Sequence, residues 1–468
     1  MLALLCNTAR RKSGLFRLPA AMRTIYGARI SIVALVVWAA ASLATHAHAA
    51  PADAGAGAVS SLAEGVYAKA RPRLLQVRTL LGTDGSQTSL GSGFMIDGEG
   101  LAFTNFHVVS QFALQPATYR MEYVAPDGSR GLLRLLAIDV TNDLAVVQLD
   151  RRGSPFFEFD SRALTGTVPK GQRLYAMGNP LDLGFTIVEG TYNSLVEKSY
   201  QERIHFTGAL NAGMSGGPAV TPNGGIVGIN VAKEIDGDLV SFLVPARFAK
   251  ALLDRARRAS LNTGEATRKE IGRQLIEWQH GQMKALTDAG FRNAVFGPYT
   301  APETAAPWFT CWSQTNADAV PKPRALVNNT ECSNKTWLFI SDSLQTGSIE
   351  ISHSHVKSVD LNAFQFSVFL SKYFTLPRAG TRSREHVTRS QCVEDFVFAD
   401  EPQRPELRVV WCARALREYE GLYNVSVVAV TRDSDSQALV SKLAMSAVSY
   451  ENALSLGQRF VARIGVAK

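Results

Sequence analysis

Between residues 74 and 149 the chain alternates short apolar runs with turn residues. The runs are Leu74 to Leu81, Leu90 to Ile96, Leu101 to Thr104, Thr118 to Val124, Leu132 to Asp139 and Leu144 to Leu149, with breaks such as Asp97-Gly98 and Pro126-Asp127-Gly128. Such spacing predicts short strands of an all-β barrel. After a break near 151–166 a second set follows: Arg173 to Met177, Phe185 to Tyr192, Arg203 to Thr207, Pro218 to Val220, Ile226 to Ala232 and Val240 to Val244. Upstream, Ser61-Leu62-Ala63-Glu64 is a capping-box pattern that starts a short helix, stopped by Pro72. From Pro245 the period turns helical. Ala246 to Arg258 predicts a helix closing the second barrel, and Ala266 to Ala289 carries Ile271, Leu275, Trp278 and Leu286 on one side. Gly272 and Gly281 weaken this second helix as a coiled coil, so it reads as a linker lying on a core.

Beyond 291 the strand-like runs are Trp337 to Ile340, Ser348 to Val356, Ala363 to Leu370, Val393 to Phe398, Leu407 to Cys412 and Tyr423 to Val430. Leu439, Leu443, Ala447, Tyr450 and Leu454 then predict a final amphipathic helix. The fold class is therefore mainly β: two sets of short barrel-forming strands, a helical linker over 251–290 and an α+β region over 291–468.

Residues 1–50 hold six basic residues and no acidic one, with an uncharged run from Ile30 to Ala44 and Ala47-His48-Ala49 after it. That pattern predicts a signal peptide over 1–49, followed by an Ala/Gly-rich linker over 50–58. Met22 offers an alternative start with a shorter basic segment, and Arg10-Arg11 fits twin-arginine export poorly. The competing reading, a membrane anchor, is disfavoured because the apolar run is shorter than the ~20 residues a span needs. The expected location is periplasmic or secreted. Without the leader, Lys+Arg falls from 49 to 43 against 41 acidic residues, and net charge falls from +8 to +2. Nothing then points to a nucleic-acid partner. Cys6 leaves with the leader. Cys311, Cys332, Cys392 and Cys412 remain, and export makes disulfides expected. Four cysteines allow three connectivities, of which the sequence-local Cys311–Cys332 and Cys392–Cys412 is favoured. No C-x-x-C pair occurs to suggest a structural metal, and no cofactor is indicated. His353 and His355 share a face of one predicted strand and read as two exposed histidines rather than metal ligands.

Three short segments carry candidate chemistry. Asn211-Ala212-Gly213-Met214-Ser215-Gly216-Gly217-Pro218 sets a serine between glycines on a tight turn. Thr104-Asn105-Phe106-His107-Val108-Val109 places a histidine after an apolar run, and Asp143-Leu144-Ala145-Val146 places an aspartate before a buried strand. Each residue alone is ordinarily structural: a core histidine, a turn aspartate, a turn serine. Together they stand in one of the chain orders known for a Ser-His-Asp triad. With Gly91-Ser92-Gly93-Phe94, Ala176-Met177-Gly178-Asn179-Pro180, Ile226-Val227-Gly228-Ile229-Asn230 and Val240-Ser241-Phe242-Leu243-Val244-Pro245, these segments resemble the trypsin-like serine proteases of the HtrA/Deg type over residues 58–250.

The resemblance implies a protease domain at 59–250 built as a double six-stranded β-barrel, with His107 and Asp143 on the first barrel and Ser215 on the second. It implies an endopeptidase acting through an acyl-enzyme, with the N–H groups of Gly213 and Ser215 as oxyanion hole. Ala209 and Leu210 before the nucleophile, and Val231 and Ala232 on the facing strand, imply a pocket for small or medium apolar residues. Thr207-Gly208-Ala209 departs from the family, which often has an acid after the threonine, and Met214 replaces a polar residue. Residues 291–468 lack the carboxylate loop of the PDZ domains usual in this family. Polypeptides, misfolded envelope proteins among them, are the expected substrates. Homo-oligomerisation and a partner for the C-terminal region stay open. The alternative is a protease-fold stress sensor or binding scaffold with negligible turnover.

Overall fold

The structure is a computed structural model that describes residues 60–231, 240–258, 264–397 and 404–467. The expected signal peptide and linker lie outside the described residues. The described residues fall within one compact unit, 58–468.

Helix α1 (Ser61–Ala70) is capped by the Ser60 hydroxyl, which accepts from Ala63 N. The first barrel comprises β1 (Leu74–Leu81), β2 (Gln87–Met95), β3 (Leu101–Thr104), β4 (Tyr119–Val124), β5 (Arg130–Asp139) and β6 (Leu144–Leu149), with α2 (Phe106–Leu114) between β3 and β4. It closes in the order β1-β2-β3-β6-β5-β4. After the short α3 (Ser161–Thr165), the second barrel comprises β7 (Arg173–Gly178), β8 (Thr186–Leu195), β9 (Ile204–Thr207), β10 (Pro218–Val220), β11 (Ile226–Val231) and β12 (Ser241–Pro245), closed as β10-β11-β12-β9-β8-β7. The predicted strands of both barrels thus stand within a few residues of their expected ends. One core joins them, from Phe94, Phe103 and Val146 to Leu174, Phe206 and Ile229. Helix α4 (Ala246–Arg258) seals it with Ala249, Leu252 and Leu253 at helical spacing.

Helix α5 (Glu265–Ala289) buries Ile271, Leu275 and Leu286 as its pattern predicts, but also Gln274, Gln279 and Gln282. A buried amide is tolerable only when hydrogen-bonded. Gln274 Oε1 accepts from Val140 N at 2.8 Å while its Nε2 donates to Ile138 O at 2.9 Å, so it occupies backbone groups left open at the end of β5. Gln279 accepts from Asn452 Nδ2 at 2.9 Å. The helix is thus a strut between the first barrel and the C-terminal region.

The C-terminal region holds β13 (Phe291–Phe296), β14 (Tyr299–Thr304), β15 (Thr310–Thr315), β16 (Ala325–Ser333), β17 (Leu338–Ser341), β18 (Leu344–Thr346), β19 (Ile349–Ser358), α6 (Ala363–Ser371), β20 (Gln391–Val397), β21 (Leu407–Ala415), β22 (Leu422–Thr431), β23 (Gln437–Ser449), α7 (Tyr450–Ala462) and β24 (Gly465–Val466). Seven strands form one sheet, β15-β16-β19-β23-β22-β21-β20. A three-stranded sheet, β13-β14-β24, and the hairpin β17–β18 stand beside it. Cys311 pairs with Cys332 in register across β15 and β16, and Cys392 with Cys412 across β20 and β21; both pairs are disulfides, as expected. Glu303 lies near the first bridge, but its sulfurs are bonded to each other and cannot ligate a metal.

Three expectations fail here. Ala363 to Leu370 is helix, not strand: the Asn362 side chain accepts from Gln365 N and Gln365 answers at Asn362 N, a capping box that outweighs the aromatic, β-favouring composition. The helix expected from Leu439 onward is the strand β23 up to Ser449. Its marker positions are four apart, which is one helical face but also one strand face, since four is even. The helix α7 then buries Ala453, Leu456 and Phe460, leaving Tyr450 and Leu454 exposed. Finally, His353 and His355 are buried, not exposed.

Candidate active site

The histidine segment runs out of β3 into α2, so His107 is the second residue of a helix rather than the end of a strand. Asp143 lies in the turn between β5 and β6 and adopts a left-handed φ of 60°, uncommon for a residue with a side chain. Its carboxylate is engaged twice by one residue. His107 N donates to Oδ1 at 2.9 Å, and His107 Nδ1 stands 2.7 Å from Oδ2. Its carbonyl accepts from Asn105 Nδ2 at 2.6 Å and from Phe106 N at 3.3 Å. The side chains of His107 and Asp143 are 28% and 13% exposed, sheltered but not sealed.

The turn that carries Asp143 is held from several sides. Asp139 accepts from Thr141 Oγ1, Asn142 N and Asn142 Nδ2. Gln274 of α5 grips the residues flanking Asp139, and Gln201 Nε2 donates to Thr141 O. Burial beneath this turn lowers the Arg203 guanidinium to about 10, while the charges of Asp143 and Asp139 pull it back up, so it stays cationic at neutral pH.

Ser215 is 3% exposed, on the turn between β9 and β10. The turn exists because of its glycines. Gly213 has φ 91°, and a Cβ there would lie 2.4 Å from Asn179 O; a Cβ on Gly217 would lie 2.0 Å from Met177 O. Ala212 O accepts from Leu181 N at 3.0 Å, so the Gly213 N–H, on the opposite edge of the same peptide plane, points away from the 179–184 loop. Ser92 ties the turn to the first barrel. Its N donates to Ser215 O at 2.8 Å, and its hydroxyl donates to Gly213 O at 2.7 Å while accepting from Asn179 N at 2.9 Å. Gly216 lies so close to the start of α2 that a Cβ on it would stand 2.8 Å from Asn105 N. The serine turn therefore abuts the residues immediately preceding His107.

The expected pocket residues are less united. Ala209 is exposed, Leu210 turns partly into the core of the second barrel, and Val231 is a buried member of that core. Ser241 Oγ fixes their backbone by donating to Gly208 O and accepting from Leu210 N. Ala232 lies outside the described residues. Sequence reasoning did not single out Ser92, Asn105, Asn230 or Gln274 as parts of the site. Ser92 belongs to the segment Gly91-Ser92-Gly93-Phe94, and Asn230, whose Nδ2 donates to Met177 O and Met214 O, ends the segment Ile226-Val227-Gly228-Ile229-Asn230. Gln274 is 131 residues from Asp143 in sequence and carried no motif signal.

Two closed six-stranded barrels with a histidine–aspartate pair on one and a glycine-framed serine on the other define the trypsin-like class. Residues 91–229 match the family model of the trypsin-like peptidase domain. Among curated relatives, serine protease HTRA1 of Xenopus tropicalis is 27% identical over 207 residues, covering 42% of this chain and 43% of that protein. A probable periplasmic serine endoprotease, DegP-like, of Chlamydia trachomatis is 27% identical over 190 residues, covering 39% and 36%. The putative serine protease HhoA of Synechocystis is 32% identical over 170 residues, covering 35% and 41%. The chain thus spans less than half the length of these relatives. A solved serine endoprotease from Yersinia pestis aligns with 43% of this chain and 68% of its own at 23% identity, with a TM-score of 0.37. Among the described residues no helix is long and apolar enough to cross a membrane.

Proposed function

We propose that the protein is an exported serine endopeptidase that uses His107, Asp143 and Ser215. The observation that carries this reading is the double engagement of Asp143 by His107, through backbone N–H and Nδ1 at once. A carboxylate so held fixes the tautomer in which Nδ1 bears the proton and Nε2 is a base. Ser215 Oγ attacks the peptide carbonyl carbon while its proton passes to His107 Nε2. The tetrahedral oxyanion is met by the N–H groups of Gly213 and Ser215, each worth roughly 3 kcal/mol. Collapse breaks the C–N bond, the leaving amine takes the proton from the imidazolium, and an acyl-enzyme remains. Water then repeats the sequence and releases the acid.

Ala209, Leu210, Val231 and Ala232 offer no charge to pair a basic side chain, which favours small or medium apolar residues before the scissile bond. The basic leader with its apolar run, and relatives named as periplasmic endoproteases, support export and polypeptide substrates, misfolded envelope proteins among them. Labelling by a fluorophosphonate tests the reading. Wild type should label and Ser215→Ala should not. Folded wild type that fails to label would favour a binding scaffold instead.

A further inference from the structure

The hairpin β17–β18 belongs to the C-terminal region, yet it stands on the helix that carries His107. Leu338, Ile340 and Leu344 are buried in the same cluster as Val108 and Val109 of α2. Polar contacts hold its tip: Gln111 Nε2 donates to Asp342 Oδ2 at 3.4 Å, and Ser343 Oγ lies 2.7 Å from His386 Nε2. Neighbouring side chains of a strand point to opposite faces. Phe339 therefore does not share the face that Leu338 and Ile340 bury, and it stays half-buried at the margin of that cluster. There its ring meets the His107 imidazole edge-on, with centroids 5.9 Å apart and planes at 74°. A peptide whose carbonyl reaches Ser215 must pass the partly open surface of His107, and the half-buried aromatic ring of Phe339 borders that surface.

We propose that Phe339 is a specificity-determining residue: the C-terminal region supplies the apolar wall of the substrate subsite that borders His107. The wall limits the room beside the imidazole. It selects compact apolar side chains such as Ala, Val or Pro over Phe and Trp at a position flanking the cleaved residue. This rests on the endopeptidase reading above.

The test compares wild type, Phe339→Leu and Phe339→Ala on fluorogenic peptides that differ at one position at a time on either side of the cleaved residue. Wild type should prefer the Ala or Val peptide over the Phe peptide by about tenfold or more in kcat/KM, and Phe339→Ala should erase most of that ratio, the scale of discrimination an apolar pocket can supply. Phe339→Leu, which keeps an apolar branched side chain, should give an intermediate ratio and guards against a folding defect in the alanine variant. Unchanged ratios, or one common factor on every peptide, would overturn the proposal. A uniform gain would also overturn it, by making the hairpin a plug rather than a wall. Wild type that neither labels with fluorophosphonate nor cleaves any peptide sinks the catalytic reading as well, whereas labelled wild type with unaltered preferences sinks only the role of Phe339.

Discussion

His107 in the first barrel and His353 in the C-terminal sheet put the same side chain to opposite uses. His107 is partly exposed, and its Nδ1 faces a carboxylate. His353 is 2% exposed and has neutral partners on both nitrogens, the Ser441 hydroxyl 2.9 Å from Nδ1 and the Pro302 carbonyl 2.9 Å from Nε2. Its ring stacks on Phe460 at 5.8 Å. A carbonyl can only accept, so Nε2 bears the proton; burial disfavours a second proton, and the neutral ring then accepts from the serine at Nδ1. Burial pushes its pKa down to about 4. One imidazole is partly open and stands beside a carboxylate; the other is a packing element with its polar atoms satisfied. The contrast extends to the regions around them. The barrels keep left-handed backbone at Asp143, Gly213 and Gly216, in the turns that hold the His107–Asp143 pair and Ser215. In the C-terminal region adjacent strands are cross-linked, and apolar residues of β19, β22 and β23 are buried in a common core.

If that contrast holds, changes at the cleft should cost rate and leave stability nearly intact, while changes around His353 should do the reverse. The largest effect is expected from Asp143→Asn. The amide cannot hold the same tautomer or offset an imidazolium, so kcat should fall about 10⁴-fold, with a melting temperature within a few degrees of wild type. A Tm collapse would make Asp143 a structural residue. Gly213→Ala should come next. Its Cβ would meet Asn179 O, the turn must shift, and an oxyanion donor is misdirected, so kcat should fall about 10²–10³-fold. KM for a short peptide should move far less, because the donor acts on the transition state. A drop confined to KM would locate Gly213 in ground-state binding instead.

How far the sequence could be read follows the same divide. The barrels were legible because their strands are short apolar runs, most of them buried along nearly their whole length, punctuated by Gly, Asp and Pro turns. The His, Asp and Ser segments were legible because each sits in a local motif. In the C-terminal sheet the strand β15 is exposed at nearly every position and had no alternation to detect, whereas β20, exposed throughout, was legible from Val393 onward by its apolar residues. In β23 the spacing of apolar residues suited two periods equally. The disulfides were legible from local pairing, because each bridge joins cysteines directly opposite on neighbouring strands. What no local pattern could announce is the contribution of distant chain to the site. Gln274 reads as one polar residue on a helix and Phe339 as one apolar residue in a short run; only tertiary contact gives them partners at β5 and at His107.

The smallest of the expected effects tests the other half of the contrast. The folded state holds the pKa of His353 near 4, below the ordinary value of 6.5 that the unfolded chain regains. The unfolded state therefore binds a proton first, and the stability present above pH 6.5 is lost as pH falls toward 4. Between pH 7 and pH 5 the loss from this one group should be about 2 kcal/mol, since each pKa unit corresponds to about 1.4 kcal/mol. Burial depresses His355 as well, so it adds a loss of the same sign. His353→Gln can still hydrogen-bond but cannot titrate in this range. Denaturant midpoints of the full chain at pH 7 and pH 5 should therefore draw together in the variant, leaving the smaller slope that His355 and other groups contribute. The variant should also cleave peptide at wild-type rates at pH 7, because nothing about His353 enters the cleft chemistry. An undiminished acid slope in His353→Gln would mean that the wild-type ring is already charged when folded, and that its burial among Phe296, Phe460, Ser441 and Pro302 does not hold in solution.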